Sequence, residues 1–102
     1  MIELYVKHLT GLNKIRGLIN ESKPHLVYFQ TRFGIHTFGL KFPIDVLILD
    51  RKGRVVKIRE NLKPNRIFIW NPIYKKIVEL PTGKVTKYKI TKNDHIKLTF
   101  IK

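Results

Sequence analysis

The stretch 44-IDVLILDRKGRVVKIRE-60 decides the fold class. Alternate side chains of an extended strand point to opposite faces, so Asp45, Leu47 and Leu49 share one face while Ile44, Val46, Ile48 and Asp50 share the other. Both faces are otherwise apolar, and a run of that kind reads as a central strand covered from two sides. Asp50-Arg51-Lys52-Gly53 then supplies a turn whose glycine can take a positive φ. RVVKIRE returns from it, and the pair forms a hairpin whose first arm lies inside a sheet. Asp45 is the anomaly in that arm. Burying even a neutral polar group without a partner costs about 2–7 kcal/mol, so a carboxylate at this position requires donors.

Outward from the hairpin, two-residue periodicity dominates. Ile2, Leu4 and Val6 face one way and Glu3, Tyr5 and Lys7 the other, which makes a half-buried strand. Leu12, Ile15 and Ile19 stand at helical spacing, so a short helix is expected between Thr10, its cap, and Ser22, closing before Pro24. HLVYF (25–29), RFGIHTF (32–38), RIFIW (66–70), KKIVEL (75–80) and HIKLTFI (95–101) read as strands, separated by a loop from Asn61 to Asn65 and a turn at Asn71-Pro72. The segment 84-KVTKYKI-90 suits a strand by its β-branched residues, or one helical turn capped by Thr82. Short strands with frequent turns predict a mainly β single domain over residues 1–102: an antiparallel β-sandwich or small barrel with one or two short helices.

Composition narrows the function classes. Among 102 residues, 43% hydrophobic and 27% charged, there is no cysteine, which excludes disulfides, thiolate nucleophiles and sulfur-ligated metals. The longest apolar run, Val46 to Leu49, is too short for a membrane span. MIELYVKHL lacks the basic start and apolar core of a signal peptide, so the expected location is the cytoplasm. The absence of alanine and the single glutamine are compatible with a thermophilic source. Charge is extreme: 21 Lys+Arg against 7 Asp+Glu give +14 and a pI near 10.3. Such a chain attracts nucleic acid or other polyanions in a salt-sensitive way. Its cations are nevertheless scattered, with Arg51-Lys52 and Lys75-Lys76 as the adjacent pairs. A monomer or weak oligomer is expected.

Taken together, Arg16-Gly17-Leu18, Ile35-His36-Thr37-Phe38, Phe42-Pro43-Ile44-Asp45-Val46, Leu49-Asp50 with Gly53 and Val55-Val56, and Glu79-Leu80-Pro81 with Gly83 resemble, in order, the motifs of the uncharacterised conserved family catalogued as domain of unknown function 192. The resemblance implies a compact, mostly β domain without an established activity. It also implies a short helix after Leu80-Pro81-Thr82-Gly83, which favours helix for Lys84 to Lys89. Leu40, Thr82 and Asn93 depart from the methionine, alanine and glycine usual in the family. Asparagine tolerates the left-handed conformation, so the turn at Asn93-Asp94 should survive.

The chemistry-bearing residues are few. Asp45 could accept from Arg16, His36, Thr37 or nearby backbone amides, and a structural anchor is the simpler reading of it. His36, flanked by Gly34 and Gly39, is the best catalytic or ligand candidate of four histidines, although a histidine beside Phe33 and Phe38 is commonly a packing residue. Glu79 repeats the pattern of an acid in an apolar strand, and with Asp45 it would make a general acid/base pair if the two converged. No metal or other cofactor is expected, since the histidines lack ligand spacing, and Ser22 lacks a nucleophile elbow. Arg66, Phe68 and Trp70 would share one face of RIFIW and form a stacking platform for nucleic acid. The leading expectation is a ligand or partner groove near Arg16, His36, Thr37, Asp45 and Glu79. The others are nonspecific nucleic-acid binding through the basic surface and a hydrolase-like activity of His36 with Asp45 or Glu79; whether the protein is an enzyme stays open.

Overall fold

A computed structural model describes residues 1–9 and 26–101, so the expected helix from Thr10 to Ser22, with Arg16 and Ser22, and the first residue of HLVYF lie outside the described residues. The hairpin forms as its sequence dictates. β4, Ile44–Leu49 in chain order, is buried along its whole length, and β5, Val55–Leu62, returns antiparallel to it. The turn between them closes with the Gly53 N–H donating to Asp50 O at 3.0 Å, and Gly53 takes φ +85°.

Among the described residues the other strands are β1 (Ile2–His8), β2 (Val27–Gln30), β3 (Ile35–His36), β6 (Ile67–Phe68), β7 (Lys76–Pro81) and β8 (Ile96–Ile101), and a helix, α1, spans Lys84–Lys87. Six strands form a sheet in the order β5-β4-β7-β2-β1-β8, while β3 and β6 pair as a separate antiparallel ribbon. The chain is therefore mainly β, with β4 between two neighbours as its apolar faces require. The sheet is mixed rather than antiparallel throughout, because β1 runs parallel to both β2 and β8. Alternation specifies which face a residue occupies and carries nothing about a neighbour's direction.

The sheet curls until its two edge strands touch at one end. Arg54 and His95 form an antiparallel bridge, Asn93 N–H donates to Val55 O at 2.8 Å, and Ile96 N–H donates to Gly53 O at 2.9 Å. A single bridge leaves the barrel unclosed. The concave core draws on all six strands, with Val6, Tyr28, Leu47, Val55, Leu80 and Ile96 among its members, and Val85 of α1 and Ile90 beyond it pack against them. The convex face buries Val27, Phe29, Val46, Ile48 and Ile77 under Leu40, Phe68 and Trp70, which belong to the ribbon and its flanks. Asn93 has φ 78°, as its turn requires.

Candidate functional site

Asp45 finds its donors in the backbone. β4 and β5 slip register between Ile44 and Val46, so the pairing runs Ile44 with Leu62, then Val46 with Arg59. That bulge leaves two β5 residues opposite Asp45 and turns the Asn61 N–H toward it, at 2.9 Å from Oδ1. Oδ2 accepts from the N–H groups of Gly83 and Val85, each at 3.0 Å. Asp45 is thus the cap of α1, supplied from a distant strand, and the helix carries no side-chain cap of its own from Thr82. Of the expected donors the nearby backbone amides serve, while among the described residues neither His36 nor Thr37 reaches this carboxylate. At 1% exposure, with three backbone N–H donors, the Asp45 carboxylate ties β4 to β5 and to the start of α1.

Thr37 is likewise sealed, at 0% exposure. Its hydroxyl donates to Lys63 O at 2.7 Å and accepts from Arg66 N–H at 2.9 Å, stapling the loop before β6 to the end of β3. As a ligand contact it is corrected to a structural staple. His36, its neighbour, is exposed on the ribbon, with its ring stacked on Phe38 at 5.0 Å and Nδ1 accepting from Phe38 N–H at 3.3 Å.

Glu79 lies on the other face of the sheet from Asp45. Asp45 stands opposite Leu80, of the concave core, whereas Glu79 stands between Val46 and Val27, of the convex core. The two stand on neighbouring strands with their side chains on opposite faces of the sheet, so they do not form an acid/base pair. No hydrogen bond reaches Glu79 from the described residues, and burial pushes its carboxyl up to about 7. The nearest cations in its row are Lys7 on β1 and Arg59 on β5, each two strands away, or about 10 Å at the usual strand spacing. Both are exposed. Of the five residues expected to share a groove, Arg16 lies outside the described residues, Asp45 is concave, Glu79 is convex, Thr37 is sealed and His36 is on the surface.

The stacking platform is also corrected. RIFIW alternates as expected, but Phe68 and Trp70 point inward at 8% exposure each, while Ile67 and Ile69 point outward. The Trp70 indole N–H donates to Tyr74 O at 2.8 Å, and Lys57 Nζ stands 5.2 Å from the centre of the Phe68 ring. The convex face of the sheet needs large side chains to cover it, and the two rings supply that volume. Arg66 alone of the three remains exposed.

One cleft was not foreseen. It encloses about 650 Å³ between the β4–β5 turn and the connection before β7, and is lined by Asp50, Arg51, Lys52, Arg54, Ile73 and Tyr74. Both walls are pinned from elsewhere. Lys76 Nζ donates to Arg51 O at 3.0 Å, and Arg32 Nη1 donates to the carbonyls of Pro72 and Ile73 at 2.9 and 3.2 Å. Among the described residues the one acid of the lining belongs to the turn, for Asp50 Oδ1 accepts from Lys52 N–H at 2.8 Å and Arg54 N–H at 2.9 Å. Its slight burial would raise its pKa, but those N–H groups and the Arg54 charge outweigh it and hold the carboxyl below its ordinary value. Among the described residues three cations and one carboxylate line the cleft, which leaves it net positive. The adjacent pairs Arg51-Lys52 and Lys75-Lys76 were the visible signal, and Lys76 does meet Arg51.

Among the described residues no helix is long and apolar enough to cross a membrane. No curated protein matches the chain. Two solved structures share its fold. A protein of unknown function from Novosphingobium aromaticivorans matches with a TM-score of 0.74 at 15% identity, over 91% of this chain and 71% of that one. A protein from Sinorhizobium meliloti described as a "putative transcription regulator" matches with a TM-score of 0.70 at 18% identity, over 91% of this chain and 78% of that one. The family model of domain of unknown function 192, described as Uncharacterized ACR, matches residues 7–98, the span that holds the histidine strand, the central hairpin and the Glu79 strand, and the chain belongs to that family.

Proposed function

We propose that this domain is a cytoplasmic binding module for a phosphate-bearing anion, seated in the cleft between the β4–β5 turn and Ile73-Tyr74. The observation that carries the reading is the lining itself: among the described residues, Arg51, Lys52 and Arg54 surround a cleft with one acid, Asp50, which is held by its own turn. Guanidinium groups bind phosphate oxygens through paired N–H donors, and Ile73 with Tyr74 offers an apolar wall for the rest of a ligand. The volume of about 650 Å³ falls within the roughly 300–1,000 Å³ of small-molecule sites. The net charge of +14 draws anions toward the protein from any direction.

Titration calorimetry with inorganic phosphate, a nucleoside triphosphate and single-stranded RNA tests the reading and separates its sources. A small-molecule site binds the nucleotide with a one-to-one stoichiometry, whereas a nucleic-acid site favours RNA with a steep log–log salt dependence. In either case Arg51→Glu with Lys52→Glu should weaken binding about tenfold or more, as expected when charge-assisted contacts are reversed. Undiminished binding by the folded double variant would remove the cleft from consideration.

A second reading rests on Glu79. A carboxyl pushed up to about 7 in an apolar setting exchanges protons near neutral pH, as a general acid or base of a hydrolase must. Loss of a hydrolytic activity in Glu79→Gln, with folding intact, would support it; retention would refute it.

A further inference from the structure

Apart from the cleft, the ribbon of β3 and β6 presents an unusual outer surface. Ile67 and Ile69 are 69% and 67% exposed, Phe38 is 47% exposed, and Phe33 is 94% exposed. These residues are contiguous. His36 opposes Ile67 in the ribbon pairing and stacks on Phe38, while Gly34, next to Phe33, abuts Ile69 so closely that a Cβ there would lie 2.9 Å from Ile69 Cγ2. A run of apolar side chains of this kind on a small soluble domain marks an interaction surface.

The charge around it says what it meets. From residue 26 to 44 and from 61 to 78, the two stretches that build the ribbon and its flanks, there is no aspartate or glutamate, whereas Arg32, Lys41, Lys63 and Arg66 are all present. A second copy of the same chain would bring like charge against like charge. An acidic partner would not. Among the described residues each ribbon strand has one neighbour, so a free backbone edge is available to an extended polypeptide, a feature a lipid headgroup cannot use.

We propose that the outer face of the β3–β6 ribbon docks an extended acidic segment of another protein, its apolar side chains seated on Ile67, Ile69 and Phe38 and its carboxylates met by Lys41 and Arg66. The surface shares no residue with the lining of the anion cleft. Its apolar centre supplies contact area, and the cations at its rim select acidic partners and speed encounter.

The experiment uses a short synthetic peptide alternating glutamate with leucine and phenylalanine, titrated into isotopically labelled protein and followed by the backbone amide shifts. Shifts should centre on His36, Ile67 and Ile69, and the same peptide with lysine for glutamate should not bind. Ile67→Thr with Ile69→Thr changes two exposed positions to a residue of similar strand preference. That variant should weaken the peptide about tenfold or more while leaving phosphate binding and the urea midpoint unchanged. Equal binding by the variant, or shifts confined to Arg51 to Arg54, overturns the proposal. So does an Ile67-dependent dimer in sedimentation without peptide binding, or capture by phosphatidylglycerol vesicles that the variant alone abolishes while peptide affinity holds.

Discussion

Asp45 and Glu79 occupy neighbouring strands of one sheet, yet burial treats them oppositely, and the difference is the supply of donors. Asp45 receives three backbone N–H groups, whereas Glu79 receives none from the described residues and is pushed up to about 7. Removing the two charges should shift stability in opposite directions. A carboxyl whose folded pKa exceeds its unfolded value, here about 7 against 4.5, binds more protons folded than unfolded between those limits, so stability falls as pH rises through that window. The full difference approaches roughly 3 kcal/mol above neutrality, at 1.36 kcal/mol per pKa unit. Glu79→Gln should flatten the decline, giving urea midpoints above those of the parent at pH 8 and close to them at pH 5. Asp45→Asn should instead destabilise by about 3 kcal/mol at both, because an amide nitrogen placed where Oδ1 or Oδ2 stood confronts N–H groups it cannot satisfy. A parent protein whose urea midpoint rose from pH 5 to pH 8, or an Asp45→Asn variant as stable as the parent, would contradict this division.

At the scale of elements, the joint between the β4–β5 turn and the start of β8 decides how far the sheet curls. Gly53 sits at φ +85°, and a Cβ there would lie 3.0 Å from Ile96 O, the backbone of the opposite edge. Gly53→Ala should cost about 1–3 kcal/mol, the usual range for a side chain held in that conformation. It should also speed amide exchange at Val55 and Ile96 more than in β4; unchanged exchange at those two amides would show that the edges are held elsewhere. The turn that carries this glycine was legible in Asp50-Arg51-Lys52-Gly53, as was the central place of β4 from its two apolar faces, because both depend on local geometry. The parallel partners of β1 were not legible, since direction leaves no trace in alternation. RIFIW shows the same limit in another form: its two faces were correctly sorted, but which one met the core depended on a convex sheet that needed covering. For the site, the need of Asp45 for donors could be read, but the donors could not. Every residue except proline has a backbone N–H, so sequence cannot distinguish those of Asn61, Gly83 and Val85 from any others.

On the scale of the whole molecule, the charge of +14 is opposed by very little pairing. Among the described residues the ion pairs come down to Lys97 Nζ with Glu3 Oε2 at 3.9 Å, both partners exposed, and such pairs contribute little. Added salt therefore has little attraction to screen and much repulsion. Raising sodium chloride from about 0.01 M to about 0.1 M shortens the screening length from roughly 30 Å to roughly 10 Å, so the thermal midpoint should rise. Phosphate at matched ionic strength should raise it further, because a ligand that binds the folded state alone stabilises it by RT ln(1 + [L]/Kd), about 2.7 kcal/mol when its concentration is 100 times Kd. Arg51→Glu with Lys52→Glu separates the two effects. Replacing two cations by two acids takes the net charge from +14 to +10, which relieves repulsion and should lift the midpoint in low salt. The same change removes two of the three cations that line the cleft, so the increment specific to phosphate should shrink sharply while the response to chloride persists at reduced size. If phosphate and chloride were indistinguishable in the parent protein at equal ionic strength, the charge would act only as a diffuse field, and the cleft would hold no anion of its own.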